Sequence, residues 1–438
     1  MGDDFHFALW LMEHGVSVYF HENGVWRILG HELGNAATLA NPMLPGIVSI
    51  STHWIATLLF FAVLRQLLDS EPLALLLALV FGVFPWGDTA LMWACEFTYL
   101  LSTTLFLAVL CLLFRAFPLK ASVAAPLCVL CAALSLFAHE CLFFALVISG
   151  AVVFLRKDGF SARERLPMAM APLIGCGIWW TLYKIFPGRI PPEHIKIQPR
   201  TLLSGVYYQY TDVWIFEPWK SPGTRGLLFF DWAPWQFAVG LVMVGAVVLF
   251  VHRAIAPSRG GAPRHPKANY GMFIFLILLV VAAVAIYALG GGFSLDSRKK
   301  YPVIPVLLMA VGYGLDRFMP RLLPRGRAFT TTALVMVLCG ISTTWLHIGL
   351  WRYEAKRLDL LADFLSTQPD ANNVTVEWDS RIQAAWPRST QYWGAPVEQF
   401  VVRNAVELKR RLSPPAEYAA PVKAVKFDAD RFQWEPAD

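Results

Sequence analysis

Two adjacent carboxylates, Asp3 and Asp4, open the chain, and Phe5, Phe7, Leu9 and Trp10 follow them at once. The apolar and aromatic neighbours draw the pair onto a membrane surface. A carboxylate held there can act as general base on an acceptor hydroxyl or amine, or can hold a divalent metal. The plain alternative is a solvated pair near a terminus; the aromatic neighbours favour chemistry.

A cationic group lies far along the chain. Arg298-Lys299-Lys300-Tyr301 follows a flexible Gly290-Gly291-Gly292 segment. Arginine offers a bidentate fork to phosphate, and lysine a point charge. The same cluster could instead bind anionic lipid headgroups. Arg27, Glu96, His139 and Glu140 are the other ionisable residues placed to meet a substrate. A carboxylate at membrane depth is costly unless paired or in a watery cavity. Glu140 could pair with Arg27 or Arg298, in which case it forms a structural ion pair. His53, inside an apolar run, reads as a hydrogen-bonded packing residue.

These residues need elements to hold them. Hydrophobic residues make up 56% of the 438-residue chain and charged residues only 16%. Mean hydropathy is +0.50. A soluble domain carries about 25% charged residues, so lipid is the expected solvent here. The net charge of +6 is distributed in short basic clusters between apolar runs. That is a topology signal and not a nucleic-acid surface.

Apolar runs predict spans near 45–65, 73–86, 97–114, 122–138, 141–155, 168–186, 236–252, 271–289, 302–317 and 329–350. A straight span needs about 20 residues. The run 73–86 is shorter, between Pro72 and Pro85, and a short span is tolerated where its end opens into a protein-lined cavity. Alternate connections carry Arg65; Arg115 and Lys120; Arg156, Lys157, Arg163 and Arg165; Arg253, Arg259, Arg264 and Lys267; and Arg317, Arg321, Arg325 and Arg327. The positive-inside rule makes that side cytoplasmic. Residues 1–44, the loop 87–96, the turn at His139, the loops 187–235 and 290–301 and the tail from 351 then share the outer face. The aromatic loop 187–235 suits an interfacial anchor or sugar stacking. An outer amino terminus requires either a translocated tail or a further spanning helix before Gly2, and the second is expected.

The tail reads as a helix over 352–366, a strand over Asn373–Trp378 and a helix over 398–412. Asn373-Val374-Thr375 also matches a glycosylation acceptor, a tripeptide common by chance. Cys128 and Cys131 have the CxxC spacing but lie inside an expected span, where small packing residues are the simpler reading. No disulfide framework and no metal site follow from the seven cysteines.

The order of Asp3-Asp4, Trp26-Arg27-Ile28-Leu29, Asn41-Pro42 and His53 before a Leu/Phe-rich span resembles the amino-terminal half of GT-C glycosyltransferases. The resemblance is closest to the protein O-mannosyltransferase branch, including relatives with transmembrane and tetratricopeptide regions. Phe84-Pro85, Ala90-Leu91-Met92-Trp93 and Leu100–Phe106 resemble that family's next helix pair, and Ala138-His139-Glu140 its Ser-Lys-Glu element. The likeness covers roughly residues 2–155. Ile28 stands where the family has Pro, Glu96 where it often has Arg, and His139 where it has Lys. The last two changes remove a cation that could face a lipid phosphate. The family's carboxyl-terminal repeats have no counterpart.

The resemblance implies sugar transfer from a polyprenyl-phosphate donor to a protein, glycan or lipid acceptor at the outer face. Asp3 and Asp4 fall on the family's acidic pair. No nucleotide motif is present, which fits a lipid-linked donor, and no nucleic-acid partner is expected. The expected fold is an all-α polytopic membrane protein of about ten spans, GT-C-like, in the plasma (inner) membrane. Residues 1–44 form an outer juxtamembrane loop, 45–350 the membrane domain, and 351–438 a small extramembrane α+β domain on the non-cytoplasmic side. Two rival readings stay open: a transporter or lipid flippase, and a non-catalytic scaffold descended from the enzyme.

Overall fold

Leucine, phenylalanine and alanine dominate nearly every described helix, and lipid or other helices can cover them on all sides. The computed structural model describes residues 44–83, 97–156, 160–186, 269–289, 301–318, 356–377 and 413–428, with shorter pieces elsewhere. In order, the helices are α1 (Leu44–Leu67), α2 (Glu71–Val83), α3 (Phe97–Leu113), α4 (Ala121–Ala138), α5 (Phe143–Ser149), α6 (Val152–Leu155), α7 (Ala162–Ile185), α8 (Tyr270–Leu289) and α9 (Ile304–Arg317). A 3-10 turn, Glu140–Leu142, joins α4 to α5. Three of these helices are long and apolar enough to cross a membrane, over Gly46–Leu67, Ala121–Ala138 and Ala162–Ile185. The expected run 236–252 lies outside the described residues, as does most of 329–350.

Two local features differ from the sequence reading. The run 141–155 is not one helix but a 3-10 turn followed by α5 and α6. The break falls at Gly150, where a Cβ would run into the Ala169 carbonyl of α7. The chain yields its regular helix there in exchange for close backbone contact. Helix α7, in turn, starts six residues before the expected 168. Ser161 and Glu164 form a capping box, with the Ser161 N–H donating to Glu164 Oε2 at 2.9 Å. The box satisfies amide donors that the helix cannot.

Among the described residues the helices share a large apolar core that includes Phe60, Leu64, Leu100, Phe106, Leu110, Leu136, Leu142 and Leu276, and Leu76 and Val80 of α2 form a smaller cluster with Ala333 and Val337. Small residues let backbones approach. At Gly175 in α7, a Cβ would sit 2.7 Å from the Val129 carbonyl oxygen and from Ala132 Cβ, both in α4. Cys111 in α3 donates its thiol to the Leu59 carbonyl of α1. Among the described residues, Cys111, Cys128, Cys131, Cys141 and Cys176 form no disulfide with one another.

Ionic contacts gather at one end of this bundle. Arg65 meets Glu71 at 3.2 Å. Arg317 forks onto both oxygens of Asp69, and the Asp69 N–H donates to Asp316. Tyr313, one helical turn before Arg317, donates to the Asn269 carbonyl, while Asn269 Nδ2 donates to the Leu155 carbonyl. Arg156 donates to the Phe114 carbonyl and Arg115 lies over the Phe160 ring. The α1–α2 turn, the start of α8, the end of α9 and the turns after α3 and α6 are thus linked through polar contacts at this end.

The carboxyl-terminal residues form a separate apolar cluster of Leu361, Ala362, Leu365, Ala405, Val406, Val425 and Trp434. Its sheet has the order β1 (Thr375–Glu377), β2 (Ala424–Asp428), β3 (Gln433–Pro436), the first pair parallel and the second antiparallel. The helix over 356–366 packs Arg357 against Phe427 and Trp434, and Trp434 donates its indole N–H to the Arg357 carbonyl at 2.8 Å. Asn373, expected to begin the strand, lies in a 3-10 turn before it.

Candidate functional site

Away from the ionic end, two polar groupings interrupt the apolar interior. The first centres on His53. It lies nine residues into α1, about 14 Å along the helix at 1.5 Å per residue, and is buried. Its Nε2 lies 3.0 Å from the Gly82 carbonyl in the last turn of α2. Carbonyls in a last helical turn lack an intrahelical donor, so Gly82 gains the partner its own helix cannot provide. A carbonyl only accepts, which places the proton of a neutral ring on Nε2. Nδ1 then accepts from the Tyr301 hydroxyl at 2.7 Å. Phe81 closes the group, its ring centroid 5.4 Å from His53 and 5.5 Å from Tyr301. Two polar side chains are therefore mutually satisfied in an apolar setting, as burial demands. Tyr301 adjoins Lys300 in the sequence, so α1, α2 and the segment leading into α9 are tied at this point.

The second grouping surrounds the turn between α4 and α5. His139 is the residue after α4, in an extended conformation with φ −165 and ψ 134. Its N–H donates to Ser135 at 2.9 Å, and its carbonyl accepts from Ser102 at 3.0 Å. Nδ1 accepts the Cys141 N–H at 3.0 Å, and the ring packs on Tyr99 with centroids 3.9 Å apart. Glu140 Oε2 lies 3.6 Å from Nδ1. The Nδ1 lone pair already takes an amide proton, so this proximity is not a charged hydrogen bond. His139 shapes the turn, and the turn presents Glu140, whose side chain keeps 18% exposure.

Beside Glu140 stands the far end of α7. Trp179 and Tyr183, four residues apart and so on one helical face, stack with centroids 5.5 Å apart and planes 14° from parallel. Phe143 of α5 covers Trp179 from the other helix, at 5.8 Å. Glu140 lies three residues before Phe143, so the turn and the end of α7 meet through the Phe143–Trp179 contact. Lys184 Nζ lies 4.8 Å from the Trp180 ring centroid and 5.9 Å from that of Tyr183. The grouping offers a carboxylate, an ammonium, a phenol, an indole N–H and aromatic faces. That set is suited to hydrogen-bonding and stacking and contains no activated nucleophile.

Of the candidate catalytic and substrate-binding residues, His139 and Glu140 are described, and they are adjacent at the α4–α5 turn. Asp3, Asp4, Arg27, Glu96, Arg298, Lys299 and Lys300 lie outside the described residues. So does any metal site at Asp3 and Asp4. Among the described residues no group of three His, Cys, Asp or Glu side chains could hold a metal ion. Trp179, Tyr183 and Lys184 were not marked by the sequence reading. The signal was present: an aromatic pair at i and i+4 and a lysine at the end of an apolar run.

No family model matches the chain, and no curated protein or solved structure is found similar to it.

Proposed function

We propose that the chain is a polytopic membrane glycosyltransferase of GT-C type. It moves a sugar from a polyprenyl-phosphate donor to an acceptor at the non-cytoplasmic face. The observation that carries this reading is the separation of polar groups between the ends of the bundle. Arg65, Arg115, Arg156 and Arg317 lie at one end, linked to Asp69, Glu71 and Asn269. His139, Glu140, Tyr183 and Lys184 lie at the other end of the bundle, where α4 and α7 finish. The first end is cytoplasmic under the positive-inside rule. The second then shares its face with Asp3, Asp4 and the loop of Arg298, Lys299 and Lys300.

In the proposed reaction an acceptor oxygen attacks the anomeric carbon while the bond from that carbon to the phosphate oxygen breaks. The acceptor proton passes to Asp3 or Asp4, and the other carboxylate orients the acceptor or holds a divalent ion. Arg298, Lys299, Lys300 and Arg27 balance the charge of the departing lipid phosphate. Glu96, His139 and Glu140 shape the substrate pocket, His139 through the turn that presents Glu140. The donor arrives laterally from the bilayer, whose lipids cover the exposed apolar residues Ile47, Ile50, Leu58, Ile174 and Leu278.

One observation favours a second reading, a non-catalytic relative that scaffolds other membrane proteins. His139, where the resembled family has a cation, is employed in the turn itself. Incubation of purified protein with a panel of polyprenyl-phosphate sugars separates the two. The transferase reading expects turnover by wild type and a loss of roughly 100-fold or more in Asp3→Asn or Asp4→Asn, the scale of a lost general base. Equal turnover in all three removes the carboxylates from the mechanism.

A further inference from the structure

Positive charge gathers at two neighbouring turns of the ionic end. Arg115, Lys120 and Arg163 are exposed, and none forms a salt bridge among the described residues. The turns are held together, because Arg156 donates to the Phe114 carbonyl and Arg115 lies over the Phe160 ring at 5.1 Å. Glu164 is the one acid in the described parts of both turns. Its carboxylate accepts from the N–H and the hydroxyl of Ser161, so cations remain in excess.

Arg115 sits in a strained backbone conformation. Its φ is 53°, in the left-handed region that glycine usually fills just after a helix. The Ala116 N–H donates to the Cys111 carbonyl at 2.8 Å and the Arg115 N–H to the Leu112 carbonyl at 3.2 Å, which closes α3. Glycine would close the helix in the same way without strain. The closure therefore does not account for an arginine here.

Lys120 stands at the head of α4 and Arg163 in the first turn of α7. These two helices pack directly, Gly175 against Val129 and Ala132. At about 100° per residue, Val123, Leu127 and Leu130 follow Lys120 along one face of α4. Leu166, Met170 and Ile174 likewise follow Arg163 along one face of α7. All six side chains are exposed. Each face is thus a cation followed by about three turns of apolar surface. A free phosphate matches the cations alone. A zwitterionic lipid matches the apolar faces but carries no net charge. A lipid with an anionic head matches both parts.

We propose that Arg115, Lys120 and Arg163 bind the phosphodiester head of an anionic phospholipid, whose acyl chains lie along the exposed faces of α4 and α7. The site is at the opposite end of the bundle from Glu140 and does not depend on the transfer reading.

The test titrates the delipidated full chain in dodecyl maltoside, with bound lipid counted by native mass spectrometry. The probes are dioleoyl phosphatidylglycerol, dioleoyl phosphatidylcholine and inorganic phosphate. Phosphatidylglycerol should bind about ten-fold or more tighter than phosphatidylcholine. Arg115→Gly, Lys120→Gln and Arg163→Gln should each weaken phosphatidylglycerol by about five-fold, the scale of one cation near a lipid surface, and leave phosphatidylcholine unchanged. Arg115→Gly relaxes the turn while removing the charge, so its loss of binding does not reflect misfolding. Equal affinity for the two lipids overturns the site. So does a preference that survives in the triple variant, which assigns it to other cations. Displacement of phosphatidylglycerol by millimolar inorganic phosphate also overturns it, since the cations would then hold a free anion.

Discussion

Tyr301 and His53 are 248 residues apart in the chain and 2.7 Å apart between hydroxyl and Nδ1. Tyr301→Phe leaves Nδ1 without its donor in an apolar interior. The expected loss of stability is about 1–3 kcal/mol, read by denaturant unfolding of the protein in micelles. In a double-mutant cycle with His53→Phe, the two losses should fall short of additivity by about 0.5–3 kcal/mol. Strict additivity would mean that the pair does not interact.

Among the described glycines, Gly150 and Gly175 are the ones whose added Cβ would come closest to main-chain atoms of another helix. Alanine at either should cost about 1–3 kcal/mol, the range for overpacking, since each new Cβ would meet main-chain atoms of Ala169 or Val129. Gly177 has open space around it, so Gly177→Ala should be neutral or stabilising by up to about 1 kcal/mol through helix propensity. The comparison uses the same unfolding measurement. Equal effects at all three positions would contradict the packing described here.

The pair of Arg317 and Asp69 ties α9 to the α1–α2 turn. The Asp69 side chain is 45% exposed, so screening limits its contribution. Arg317→Met should cost about 1 kcal/mol at low salt, with the deficit shrinking in 1 M salt, where the Debye length is about 3 Å. A deficit unaffected by salt would assign the loss to packing.

Much of the bundle could be read from composition, and much of its polar interior could not. The Leu/Phe runs located α1 to α4 and α7 to α9, because residues that lipid or protein can cover on every face leave a continuous signature. The break at Gly150 depends on the Ala169 carbonyl across a helix interface, and a lone glycine does not announce its neighbour. His53 was legible as a hydrogen-bonded packing residue, but neither of its partners was. Tyr301 lies in another part of the chain, and the Gly82 carbonyl belongs to the main chain, whose needs leave no side-chain pattern. Glu140 and His139 were marked by charge in an apolar context; Trp179 and Tyr183 were overlooked because aromatic residues are ordinary at the end of a span. In the tail, Thr375–Glu377 showed strand alternation, while β2 and β3 are short and partly exposed.

The Lys409 ammonium lies 2.7 Å from Asp359 and 2.5 Å from Asp363. Burial works against its charge, but the hydrogen bonds and charges of both aspartates outweigh it and raise its pKa above the usual 10.5. A raised lysine pKa stabilises the folded state fully below the unfolded value and loses that effect as pH climbs through the folded value. Stability of the carboxyl-terminal unit should therefore hold to about pH 10 and decline above it, while Lys409→Met, weaker by about 0.5–1 kcal/mol, lacks this step. The fluorine resonance of 5-fluorotryptophan at position 434, assigned with Trp434→Phe, reports on this unit in the full chain. The same alkaline step in Lys409→Met would assign it to another group.

The proposed sugar transfer at the non-cytoplasmic face requires Asp3, Asp4 and Glu140 to face away from the cytosol. Single cysteines placed at positions 3, 140 and 184 in a cysteine-free background, with one at 65 as the internal reference, report this directly. A membrane-impermeant maleimide applied to intact cells should modify the first three and spare position 65 until the membrane is opened. Modification of position 65 in intact cells, with 3, 140 and 184 protected, would contradict the account.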